Sequence, residues 1–209
     1  LYSSDYYWVG GSGDWTNINH WATTSGGTMN HIQTPTASDN VIFDMNSMSS
    51  AATINLNIAI IFCKNFDVQQ INSTLTFSGI CSTWRIYGSF KLNNQINLPA
   101  ANLYFEALSG THEIKTANKN ISTKIYFKGL ATWNLMDSLT CGDVYFESGT
   151  FNTNSNYIFG QAFSSNSNIN RQIILGNSEI SFGNWKVVGT GYGVNAGNSK
   201  IAIRTTYFQ

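Results

Sequence analysis

Charge is what this sequence has least of. Asp, Glu, Lys and Arg together make up 11% of the chain, less than half the roughly 25% of an ordinary soluble domain. The 11 basic and 11 acidic residues cancel to a formal net charge of +0. With no basic stripe and no polybasic run, nothing is available to neutralise phosphates or to hold an anionic bilayer, so nucleic acid is excluded as a partner. Long apolar runs are missing too. The best candidate, residues 54–66, is broken by Asn55, Asn57, Lys64 and Asn65, short of the roughly 18 residues of a spanning helix, so membrane insertion is not expected. Cys63, Cys81 and Cys141 are too few and odd in number for a disulfide scaffold. They read as small buried core residues, with a Cys63–Cys81 bridge as the alternative. His20, His31 and His112 lack metal-ligand spacing, and no Ser/His/Asp arrangement is legible. The chain opens at Leu1 without a signal-peptide pattern, which reads as a processed or excised piece of a longer protein.

In place of charge stand amides, hydroxyls and aromatics. Asparagine supplies roughly one residue in eight, well above ordinary usage, and aromatics reach 14%. No segment has helical periodicity, and the composition points to an extracellular all-β protein. From residue 39 the sequence repeats one plan: an apolar or aromatic strand, a small-residue corner, then a second alternating strand. Starts at Trp84, Leu103, Ile125 and Val144 lie about 19–22 residues apart, the period of a coil-type repeat. The next interval, to Ile173, is about 29, which reads as a loop inserted at "FSSNSNINRQ" (163–172). Neither Asn-Gly nor Asp-Gly occurs, so tight hairpins are disfavoured. Gly-Ser, Gly-Thr and Asn-Ser corners suit bending a strand rather than reversing it. The pattern therefore predicts a right-handed parallel β-helix, a solenoid whose coils are each too small to bury an apolar face alone. Its expected core takes in Ile42, Phe43, Ile54, Phe66, Leu103, Phe127, Val144, Ile174 and Phe182, with matching positions between them.

Residues 1–38 do not fit the coil plan. Trp8, Trp15 and Trp21 crowd a segment with little aliphatic content and read as packing residues of an N-terminal cap, since solenoid ends must be sealed. Residues 39–209 then form one continuous stack of coils. It ends in the alternating "SKIAIRTTYFQ", which reads as a stack cut off in mid-course, with an open C-terminal edge. The motif Trp8-Val9-Gly10-Gly11-Ser12-Gly13-Asp14-Trp15, then Trp21, then Pro35, Asp39, Val41 and Phe43 resembles the start of β-helical surface adhesins of Bacteroidota. These are exported by the type 9 secretion system and include the giant gliding-motility adhesin of flavobacteria. The resemblance covers residues 7–44. It implies a secreted, surface-attached, repetitive protein that meets the type 9 machinery during export, and it names no ligand.

Three functions follow as expectations. The first is a segment of a large surface adhesin that binds a surface glycan or a partner protein without catalysis. The second is a β-helical polysaccharide-degrading lyase or glycosidase, the third a passive stalk. Carboxylates are sparse for the paired chemistry of glycoside cleavage, although Glu106, Lys128 and Glu147 follow the same strand position in successive repeats. Trp185 and Tyr192, beside glycines, are the ligand-binding candidates, with Trp84 and Trp133 as further stacking platforms for a pyranose. No cofactor is required, but Asp39 and Asp44 offer hard oxygen ligands for Ca2+. Asp39 has the simpler alternative of capping the turn before the next strand. Ser138, within Asp137-Ser138-Leu139, resembles a Bacteroidota O-glycosylation acceptor. Asn72 and Asn120 match the N-glycosylation pattern, which matters only in a eukaryotic secretory pathway.

Overall fold

The computed structural model describes residues 3–204 and divides into two compact units, residues 1–101 and 102–209. The last five residues, including part of the terminal alternating segment, lie outside the described residues. In the first unit, β1 (Asp5–Trp8) and β2 (Gly13–Asp14) lead into a 3-10 turn (Ile18–His20) and β3 (Trp21–Ala22). A second coil contains β4 (Asn40–Ile42), β5 (Ala52–Leu56) and β6 (Ile60–Cys63), and a third β7 (Phe66–Asp67), β8 (Leu75–Gly79) and β9 (Thr83–Ile86). The unit ends with β10 (Phe90–Lys91) and β11 (Ile96–Asn97). Equivalent strands pair in parallel, so β1, β4, β7 and β10 form one face, β2, β5, β8 and β11 a second, and β6 and β9 a third.

The second unit repeats the plan. Its coils contain β12 (Asn102–Phe105), β13 (Thr111–Lys115) and β14 (Asn120–Ile121), then β15 (Ile125–Phe127), β16 (Thr132–Leu135) and β17 (Leu139–Cys141). Next come β18 (Asp143–Phe146), β19 (Gly149–Asn152) and β20 (Ile158–Asn166), then β21 (Arg171–Ile174), β22 (Glu179–Val188), β23 (Tyr192–Asn195) and β24 (Lys200–Ile203). Neighbouring coils again pair in parallel, residue on residue. The chain is an all-β parallel β-solenoid, the fold class that its repeat predicts.

The expected inserted loop is not there. β20 is one nine-residue strand that crosses a corner: Ile158 lies on Leu139 of β17, and Phe163 on Val144 of β18. Phe163 is therefore the next repeat start, and Ile173 belongs to a different face, stacked on Phe151. The polar residues of "FSSNSNINRQ" hid this register because only Phe163 and Ile169 in it are apolar. Two core assignments fail for a related reason. In Val41-Ile42-Phe43 and Ile173-Ile174-Leu175 the flanking residues are buried, whereas Ile42 and Ile174 face outward and are half-buried. Strand alternation admits one phase, and adjacent apolar residues conceal which it is.

The N-terminal motif becomes a packing arrangement. Trp8, Trp15 and Trp21 are all buried, with Trp21 edge-on to Trp8 at 4.9 Å and to Trp15 at 4.8 Å. Left-handed backbone at Gly10 and Gly11 turns the Gly11 carbonyl back to accept from Trp8 Nε1 at 2.7 Å, a conformation that glycine adopts without steric cost. Trp21 Nε1 donates to the Trp15 carbonyl at 2.8 Å. His20 stacks flat on Trp8 at 4.6 Å, so near Gly13 that a Cβ there would sit 2.1 Å from its Nε2. β3 runs antiparallel to β1, Trp8 opposite Trp21, and occupies the strand edge that β1 would otherwise expose. Pro35 and Asp39 are buried, and Val41 and Phe43 enter the core beneath the indoles.

Polar groups order the corners. Asn40 donates to Asp5 at 2.6 Å, Asn65 to Asn40 at 2.7 Å, and the Ser89 amide to Asn65 at 2.7 Å, a ladder of the kind stacked strands favour. Asp137 accepts from the Thr116 amide and hydroxyl and from the amide of Ala117, which holds the left-handed Ala117-Asn118 corner. Arg171 is buried among the described residues without an acidic partner. Its guanidinium donates instead to the Ser165 hydroxyl and to the carbonyls of Ser165, Ile169, Val188 and Thr190. A buried charge is tolerated where hydrogen bonds replace its hydration, and this one ties the corners of two successive coils together.

Two stability measurements follow. Trp15→Ala is expected to cost roughly 3–5 kcal/mol in urea unfolding; an unchanged midpoint would show that the indoles are not packing residues. Arg171→Met leaves four carbonyls without that donor and is expected to cost about 3 kcal/mol, and Arg171→Lys, with three donors instead of five, restores only part of it.

Candidate functional site

On the face built from β12, β15 and β18, the sequences Leu-Tyr-Phe, Ile-Tyr-Phe and Val-Tyr-Phe align residue on residue. Alternation buries the first and third residue of each and turns every tyrosine outward. Tyr104, Tyr126 and Tyr145 then stack as a ladder, with ring centroids 4.3 and 4.7 Å apart and planes within 10° of parallel. The separations follow the strand spacing. Two residues either side of Tyr126 stand the exposed Lys124 and Lys128. The Lys128 ammonium lies 5.7 Å from the Tyr104 ring and 5.4 Å from that of Tyr126, and Lys124 lies 5.7 Å from Tyr145. Asp143 and Glu147 occupy the same positions around Tyr145, and Glu147 pairs with Lys128 at 3.5 Å. The result is a flat aromatic strip with a basic coil beside an acidic one. Partial desolvation, followed by the neighbouring Tyr104, pushes the Tyr126 phenol up to about 12.

The tyrosines are the surface residues that sequence reasoning missed. Their signal was present: in each [Leu/Ile/Val]-Tyr-Phe-[Glu/Lys] segment, a buried first residue fixes the tyrosine as outward. Glu106, Lys128 and Glu147 do share one outer row, as their spacing implied, because each follows an in-register phenylalanine.

The remaining candidates are distributed over the fold. Trp185 is half-buried and lies on Phe163 at 4.0 Å, nearly parallel. Tyr192 is half-buried beside Arg171, whose guanidinium carbon is 5.3 Å from its ring, and its hydroxyl is hidden without a partner. It helps line a shallow groove of about 470 Å³ with Leu130, Gly149, Thr150, Asn170 and Gln172. Trp84 and Trp133 are not stacking platforms; both are sealed in the core, at 1% and 0% exposure. The buried carboxylate of Asp39 accepts from the amide and hydroxyl of Thr36 and the amide of Ser4, a turn-capping arrangement. Asp44 accepts from the Asn46 amide and the Ser47 hydroxyl. Among the described residues no cluster of three or more His, Cys, Asp or Glu side chains is arranged to hold a metal ion. Ser138 is half-buried, and its carbonyl accepts from Thr116.

His20, His31 and His112 each bond a backbone carbonyl through a ring nitrogen. All three cysteines are free and buried, so the Cys63–Cys81 bridge does not form. Burial raises the thiols of Cys63 and Cys81, and burial followed by Asp143 raises Cys141 to about 12, so they are poor nucleophiles. No helix among the described residues is long and apolar enough to cross a membrane. No family model, curated protein or solved structure matches the chain.

Because folding holds the Tyr126 phenol above its ordinary value of 10, its contribution to stability is complete below pH 10 and is lost as pH rises towards 12. A spectrophotometric titration followed at the phenolate band is expected to show late-ionising tyrosine near pH 12, reduced in Tyr126→Phe. Late amplitude from Tyr192, which burial also pushes up to about 12, remains in both proteins; identical late amplitudes would contradict the desolvation of Tyr126.

Proposed function

We propose that this β-solenoid is a non-enzymatic segment of a large secreted adhesin, exported by the type 9 system and displayed on the bacterial cell surface. The observation that carries the reading is the outward ladder of Tyr104, Tyr126 and Tyr145. The fold needs only small polar residues on its outer faces, as the Thr53–Thr76 and Asn134–Asn152 rows elsewhere illustrate. Three large aromatic side chains kept on the solvent side suit a contact surface, where tyrosine is enriched. The export route rests on the resemblance of the N-terminal tryptophan and glycine motif to the start of type 9-exported adhesins; the packing of Trp8, Trp15 and Trp21 supports the cap.

The rival enzyme reading draws on Glu106 and Glu147, two coils apart in one row. Lys128 stands between them and is paired with Glu147, on an outward sheet face rather than in a cleft, which favours the adhesin. In this reading the full reading frame continues into further coils and a C-terminal sorting domain. A triple Tyr104→Ser, Tyr126→Ser, Tyr145→Ser variant is expected to keep its melting temperature within a few degrees. It should lose at least tenfold in the retention of protein-coated beads on surfaces bearing polysaccharide or the protein itself. Release of reducing ends or unsaturated uronate from a polysaccharide panel by the purified chain would replace the adhesin with the enzyme.

A further inference from the structure

We infer that the tyrosine face is self-complementary and that its partner is the same face of a second copy of this chain; the inference rests on the reading of that face as the binding surface. The argument is one of register. Along the strand direction the outward positions of β15 and its flanks read Lys124, Tyr126, Lys128, and those of β18 and its flanks read Asp143, Tyr145, Glu147. The coil before presents Asn102, Tyr104 and Glu106, and the coil after presents Ala162, Ser164 and Asn166.

A two-fold axis lying in the plane of contact, parallel to the strands and midway between β15 and β18, turns one such face onto another. It exchanges neighbouring coils but keeps each position along the strand. Lys124 then meets the partner's Asp143, Lys128 meets the partner's Glu147, and Tyr126 meets the partner's Tyr145. The bulky Tyr104 falls opposite the partner's Ser164, so a projection meets a recess. All of these relations occur twice by symmetry. Shifting the register by one coil would set Lys124 and Lys128 on their own counterparts, and like charges directly opposed are unfavourable. The banding thus selects one register out of those that parallel spacing allows. With a formal net charge of +0, the chains carry little mutual repulsion to overcome.

Four coils of five residues present about 300 Å² of sheet per partner, well below the roughly 800 Å² of a stable pair. The contact is accordingly weak between single molecules and effective only when many copies are arrayed on opposed surfaces, where avidity multiplies it.

The test uses beads densely coated with the chain, scored for clustering by microscopy, with the melting temperature of every variant checked. Wild-type beads are expected to cluster, and clusters should disperse as salt is raised. Beads bearing Lys124→Glu with Lys128→Glu, or Asp143→Lys with Glu147→Lys, are each expected to lose at least tenfold in clustered fraction. Mixing the two populations should restore mixed clusters, because each face then meets its opposite. Failure of wild-type beads to cluster would overturn the inference. So would clustering that survives both reversals, or reversals that mixing does not rescue. Dispersed wild-type beads that still bind a polysaccharide surface, and lose that binding in the triple tyrosine variant, would overturn self-association while leaving the adhesive face intact. Beads that show no tyrosine-dependent retention on any surface would overturn both readings.

Discussion

Parallel, in-register strand pairing is the constraint on which everything else in this protein depends. It places each residue beside its counterpart in the next coil at a fixed spacing of about 4.8 Å, so a side chain meets its own kind or a compatible neighbour. Inside, that means Phe66 on Phe90 and Phe105 on Phe127. At the corners it favours groups able both to donate and to accept, as Asn40 does between Asn65, from which it accepts, and the Asp5 carboxylate, to which it donates. On the outer faces the same rule makes equal charges unfavourable and opposite ones compatible, hence Lys128 beside Glu147 and Lys200 beside Glu179. The low charge content and the abundance of asparagine are two consequences of one geometry.

Periodicity revealed the fold because interior positions must be apolar in every coil, and that repetition survives in the sequence. Phase was harder. Where two apolar residues adjoin, as at Val41-Ile42 and Ile173-Ile174, either could face inward, and only their partners in adjacent coils decide. The Phe163 repeat was masked because Ser164, Ser165 and Asn166 follow Phe163, where the starts at Leu103, Ile125 and Val144 continue Tyr-Phe. The candidate binding face was half legible. The charged residues of its outer row stood out at coil spacing, whereas the tyrosines between the core positions Leu103 and Phe105, Ile125 and Phe127, and Val144 and Phe146 were assigned to neither core nor site. Nothing in the sequence announces stacking between side chains more than eighteen positions apart.

Arg171 shows where pattern reading reaches its limit. It occupies an inward position that glycine holds in the preceding coil, Gly149, and tyrosine in the following one, Tyr192. No hydrophobic pattern assigns an arginine to such a place. What makes it compatible is the backbone around it: two corners turn their carbonyls towards the interior, and a planar cation with five donors satisfies them from within. The residue belongs to the same class of solution as the hydrogen-bonded pair of buried hydroxyls at Thr153 and Ser178. In each case a polar group is buried because the corner supplies its partner.

The position of the indole cluster also bears on how the chain acquires its structure. Most strand partners lie roughly twenty residues apart or a little more, but those joining the first coil to the second are 35 and 41 residues apart, so the first coil has the longest loops to close. The antiparallel contact between β1 and β3 spans an even shorter stretch of chain. It brings Trp8 onto Trp21 before any parallel neighbour is needed. A chain that orders from its N-terminal end would therefore carry its own template edge, with β1 already backed by β3 when β4 arrives to pair with it.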